Sequence, residues 1–144
     1  MLKNKFIKIG IWILFVAYVI LILKLTVFRE NSKTQDVNLY PAVVLVNIYR
    51  KYGISYFSYL FLGNIGWFMP FGFVLPLIVK NMSAKKIVLL TLLFSLVIEI
   101  SQYVLMVGYT EIDDVILNTL GGLLGYLCLV KRKVVIPKRS YYRI

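Results

Sequence analysis

The sequence predicts an all-α integral membrane protein: a four-helix transmembrane bundle with an interfacial or re-entrant helix between the first and second spans. Three observations carry this. Apolar residues make up 60% of the 144, where soluble domains hold about 45–50%, and mean hydropathy is +0.83. They fall in four long runs, each near the roughly 20 residues that cross ~30 Å of hydrocarbon at ~1.5 Å per residue. Lys and Arg gather between and beyond these runs, as topology-setting residues do. The net charge of +11 therefore reads as an orientation code, and no nucleic-acid partner is expected. The chain reads as one membrane domain over residues 1–144.

The first span covers about residues 9–28 and is interrupted only by Lys24, which can snorkel to the interface. Its basic start resembles a signal peptide, but "KLTVFRE" offers no small-x-small cleavage site, so it reads as a retained helix. The next segment is too apolar for a solvated loop and too short to span: "VNLYPAVVLVNIY". It reads as an interfacial or re-entrant helix with Pro41 at its first helical position. Tyr40, Tyr49, Tyr52 and Tyr56 would then lie at headgroup level. The second span, about 57–79, contains Pro70, Gly72 and Pro76, which should kink or break it. The third and fourth spans cover about 87–107 and 112–130, followed by a basic tail, 131–144.

Orientation follows from the flanks. Lys3, Lys5, Lys8, Lys80, Lys85, Lys86 and the six Lys and Arg of the tail fall on one side; Arg29, Lys33, Arg50 and Lys51 fall on the other. The imbalance puts both termini of a multi-pass membrane protein in the cytoplasm. The tail would rest against the anionic inner leaflet as a topology anchor, making membrane lipids its first partners.

The chain has no histidine and one cysteine, Cys128. That excludes histidine triads, imidazole zinc sites and an internal disulfide. No nucleotide-binding motif or internal repeat is present, and no cofactor or resident metal is expected. Any chemistry must use carboxylates, amides, tyrosines or lysines.

Such groups do occur inside the spans. Ser95, Glu99 and Gln102 share one helix face; Asp114 and Asn118 share another, continued by Gly121 and Gly125 as a GxxxG that permits close helix approach. The rise per residue places Glu99 about 14 Å, and Asn64 and Asn118 about 12 Å, below the outer surface. Ionisable groups at such depth normally face the bundle interior or a water-filled cavity. Glue between helices is the competing account, strongest for the amides Asn64 and Asn118. "TEID", Thr110–Asp113, fits a capping box and explains Glu111 without function. For Asp113 the two readings balance; Asp114 fits a site better. The candidate polar pocket is therefore Asn64, Glu99, Gln102, Asp113, Asp114 and Asn118, with Arg29 as candidate cationic partner.

Four segments together resemble the VanZ-like family of small bacterial membrane proteins: "VNLYP", "GNIGWFMPFGFVLP", "SLVIEISQ" and "EIDDVILNTLGGLLGY". The resemblance spans about residues 25–130, and the combination is what makes it specific. The family's motif falls on Asn38, Pro41, Asn64, Pro70, Gly72, Glu99, Gln102, Asp113, Asp114, Asn118, Gly121 and Gly125. Relatives often carry an arginine just before the acidic run; "MVGYTEIDD" has none, so Arg29, Arg50 or Lys51 would have to substitute. The resemblance implies resistance to glycopeptide antibiotics, teicoplanin and lipoglycopeptides more than vancomycin. The partner would be a lipid-linked cell-wall precursor or the drug itself. Two other classes fit the residues: a membrane enzyme acting on a lipid or polyprenyl substrate, with carboxylates as acid and base or holding Mg²⁺, and a small transporter or channel subunit, which would need a homo-oligomer.

Overall fold

The structure, a computed structural model, describes residues 5–27 and 35–135. In chain order it contains α1 (Lys5–Thr26), β1 (Gln35–Asn38), α2 (Val43–Ile78), α3 (Ala84–Leu105), β2 (Gly108–Glu111) and α4 (Ile112–Val135). The four helices are long and apolar enough to cross a membrane. The all-helical bundle expected from the sequence is the architecture found. The first and third helices sit a few residues earlier than expected, and the fourth runs on into the basic stretch after residue 130.

α4 is the centre of the bundle, because its glycines let two neighbours come close. A Cβ on Gly72 of α2 would fall on the Gly122 carbonyl of α4. One on Gly121 would fall on the Ile65 carbonyl, and one on Gly125 on the Met69 carbonyl. Gly122 also packs beneath the Thr91 side chain of α3. The GxxxG stripe is thus used inside the chain, where it brings the α2 and α4 backbones together.

α3 opens on Ser83, whose hydroxyl accepts from the Lys86 N–H at 3.4 Å. It closes on Met106 in the left-handed conformation (φ 55°). Thr91 and Ser95 are fully buried against α4. The Thr91 hydroxyl is satisfied by its own helix at Ile87 O, 2.8 Å away. α1 lies at the edge and buries only Phe15 and Ile22 within its length. It is tied on at two heights: the Tyr18 hydroxyl donates to the Trp67 carbonyl, and Gln102 Nε2 donates to Thr26 O at 3.1 Å.

Two expectations about α2 change in part. Neither Pro70 nor Pro76 breaks the helix, whose dihedrals stay helical through both; the break comes at Gly53 (φ 77°, ψ −177°). That conformation is essentially confined to glycine. A short helix is therefore present between the first and second spans as residues 43–52, joined end to end with the second span at 54–78. Pro41 does not start this helix. It occupies a turn closed by Val43 N–H to Tyr40 O at 3.4 Å, with Ala42 at φ 64°, the second and third positions of a type II turn.

A feature absent from the sequence reading joins the connecting segments. β1 and β2 pair in parallel, from Gln35 opposite Gly108 to Asn38 opposite Glu111. This two-strand ladder ties the segment before α2 to the connection between α3 and α4, at the end of the bundle where α4 begins.

Candidate functional site

Beneath the ladder, a cavity of about 740 Å³ opens among α1, α2, α3 and α4. One wall is the short helix, through Val44, Leu45, Ile48 and Tyr52; Ile22, Leu25 and Thr26 come from the end of α1. Of the residues singled out from the sequence, Asn64, Glu99, Gln102, Asp114, Asn118 and Asn38 line it.

Each is held by a specific contact. Asn64 Nδ2 donates to Asp114 Oδ1 at 2.5 Å, joining α2 to α4. Asn118 Nδ2 donates to Ser95 Oγ at 2.9 Å, joining α4 to α3. Glu99 is only 4% exposed, and its Oε2 accepts the Glu111 N–H at 2.9 Å. The buried carboxylate thus fastens β2 to α3. Gln102 spends its amide N–H on Thr26, which leaves its Oε1 buried without a partner. Asn38 accepts the Tyr40 N–H at 3.0 Å and shapes the turn into α2.

Asp113 does not line the cavity. It is buried in the first turn of α4, and its Oδ1 accepts the Ala42 N–H at 2.7 Å; Oδ2 is buried without a partner. It pins the strained turn before α2 to the start of α4. The capping box expected at Thr110–Asp113 is not formed, since Thr110 lies in β2 and its hydroxyl donates to Glu99 O at 3.4 Å. The ladder has drawn the threonine away from the helix end, and Asp113 has turned to a different backbone. Pro41 sits in the turn, Pro70 on the exposed side of α2, and Gly72, Gly121 and Gly125 at the α2–α4 contact. Arg29 lies outside the described residues.

Glu111, read from the sequence as a helix cap, is a cavity residue. It also borders a smaller apolar recess, of about 300 Å³, on the far side of Glu99. Burial pushes its carboxyl from an ordinary 4.5 up to about 7, and the charges of Asp114 and Asp113 add to the rise. The available signal was the density of acids in "TEIDD", which the capping pattern absorbed. Tyr52, Tyr56 and Trp67 also line the cavity. No group of three or more His, Cys, Asp or Glu with metal-holding geometry occurs among the described residues.

The model of the VanZ/LLP1 family matches residues 15–135. The chain belongs to this family. A curated relative, Protein VanZ of Enterococcus faecium, is 40% identical over 62 residues. That stretch is 43% of this chain and 38% of the relative, so the match covers well under half the relative's length. No solved structure matches. The matched region takes in α1 from Phe15 onward, α2, α3, α4, the ladder and each cavity residue named above.

Proposed function

We propose that this VanZ-family protein lies in the bacterial cell membrane with both termini cytoplasmic and the cavity at the outer face. There it engages a lipid-linked component of the envelope and lowers the access of a lipid-anchored glycopeptide, such as teicoplanin, to its target. One observation carries the reading: polar side chains from three helices surround a single cavity, at the end of the bundle away from Lys80, Lys85 and Lys86. A carboxylate as buried as Glu99 is costly within a membrane, by roughly 2.5–3.5 kcal/mol or more, and in such proteins marks a ligand or ion path. The positive-inside rule supports the orientation, and the likeness to Protein VanZ supports the resistance context.

The test is drug susceptibility in a sensitive Gram-positive host expressing the protein, Glu99→Gln or Asp114→Asn at matched membrane levels. Wild type should protect against teicoplanin and both variants should not. Full protection by both would remove the cavity from the mechanism.

A second reading has one observation in its favour. A carboxyl near pH 7, such as Glu111, is suited to proton transfer, so the cavity could process a lipid rather than hold it. Consumption of a lipid or polyprenyl substrate by purified protein, lost on Glu111→Gln, would favour that account.

A further inference from the structure

The hydrogen-bond balance of the cavity is lopsided. Its lining holds three carboxyl groups, Glu99, Glu111 and Asp114, and no Lys or Arg among the described residues. The amide donors seen in contact are turned onto protein acceptors: Asn64 onto Asp114, Asn118 onto Ser95, Gln102 onto Thr26. The Glu111 N–H is likewise spent on Glu99. The Gln102 Oε1 acceptor stays buried and unpartnered. Glu99 is more than nine-tenths buried and faces this space with only one of its oxygens engaged. Buried acceptors left unpaired are costly, more so when charged. The missing complement is a group rich in donors and positive in charge.

Polar groups occupy only part of the lining. Ile22 and Leu25 of α1 and Val44, Leu45, Ile48 and Leu60 of α2 form a continuous apolar stretch. The volume lies within the roughly 300–1,000 Å³ typical of small-ligand sites. Tyr52, Tyr56 and Trp67 share it, and aromatic rings attract ammonium groups. An anionic headgroup would meet three carboxyl groups and no cationic side chain among the described residues.

We infer that the cavity takes an ammonium-bearing amphiphile, its three N–H donors meeting Glu99, Asp114 and Gln102 and its hydrocarbon lying along α1 and the short helix. This rests on the reading of the cavity as a ligand site and replaces its general lipid component with a defined chemical class. The amine has two sources, an aminophospholipid headgroup of the bilayer or an incoming cationic amphiphile.

The chain has two tryptophans, so Trp12→Phe leaves Trp67, at the cavity, as the sole indole reporter. The full chain carrying that change, in an uncharged maltoside detergent, is titrated with decylamine, decanol and decyl phosphate. Decylamine should bind at least tenfold more tightly than decanol, with decyl phosphate weakest. Glu99→Gln and Asp114→Asn should each erase the preference while helical circular dichroism is retained. If either fails to fold, Glu111→Gln, which removes the third carboxyl of the lining, should weaken the preference, and an unchanged preference would count against the proposal. Equal binding of amine and alcohol overturns the proposal. A preference that emerges only on Arg29→Ala overturns it too, since the chain's own guanidinium would then be the cation. Displacement of decylamine by phosphatidylethanolamine but not phosphatidylglycerol assigns the bilayer headgroup as the source. No displacement by either assigns an incoming amphiphile. The two readings fail separately: loss of resistance in Glu99→Gln without amine preference sinks only this one, and amine preference without resistance sinks only the other.

Discussion

Neighbouring acids in "EIDD" do three different jobs. Asp113 and Asp114 are adjacent, so a helix separates them by about 100°; one reaches the Ala42 N–H and the other Asn64. Ala42 is held at a positive φ, which costs a residue with a Cβ about 1–3 kcal/mol, and the Asp113 carboxylate offsets that strain. Asp113→Ala should therefore lower stability by about 1–3 kcal/mol, read as a lower thermal midpoint in detergent, with Ala42→Gly recovering part of the loss. Glu111 supplies a pH signature. Burial raises its carboxyl from 4.5 to about 7, with the charges of Asp114 and Asp113 on α4 adding to the rise; Glu99 on α3 lies against the Glu111 backbone N–H. Between those values the folded chain holds a proton that the unfolded chain releases. The contribution to stability is thus complete below about pH 4.5 and is lost as pH rises through about 7. The thermal midpoint of wild type should fall from pH 5 to pH 8 more steeply than that of Glu111→Gln; parallel profiles would contradict the burial of this carboxyl.

At the scale of elements, the α2–α4 contact decides how close the bundle can pack. Backbone faces backbone there, so neither side can yield to a new methyl group. Gly72→Ala should cost at least about 3 kcal/mol, the upper end of overpacking effects, because its Cβ meets the Gly122 carbonyl. Gly63→Ala on the same helix meets nothing within 4 Å and should be neutral or stabilising by up to about 1 kcal/mol from helix propensity. Thermal midpoints of the pair in one detergent check this, and equal effects would contradict the close approach. The same scale explains why Pro70 and Pro76 are tolerated while Gly53 breaks α2. A proline removes one N–H and bends a helix without leaving helical dihedrals. The glycine adopts a conformation outside the helical region, and that lets the short helix turn along the cavity.

For the whole molecule, the ladder, the short helix and the cavity all gather at one end of the bundle, and the lysines between α2 and α3 lie at the other. With that second end in the cytoplasm, a cysteine introduced at exposed Leu39 should react with a membrane-impermeant maleimide in intact cells, in a Cys128→Ser background. One introduced at exposed Asn81 should react only after lysis. The opposite pattern would invert the orientation and close the cavity to any drug arriving from outside.

The sequence by itself determined the four spans, the family and which polar residues stand within apolar runs. Hydropathy over some twenty residues is a local, additive property, and a membrane leaves the backbone little choice but a helix. The same locality made Asn64, Glu99, Gln102, Asp114 and Asn118 legible as candidates, since each is conspicuous where it stands in an apolar run. Only the tertiary structure decided what each one touches. The pairing of Gln35–Asn38 with Gly108–Glu111 joins segments some seventy residues apart, in strands too short to show an alternating pattern. It displaced Thr110 from the cap and delivered Glu111 to the cavity. The division of labour between Asp113 and Asp114 was likewise invisible in the chain, because it depends on which neighbour lies across each side of one helical turn.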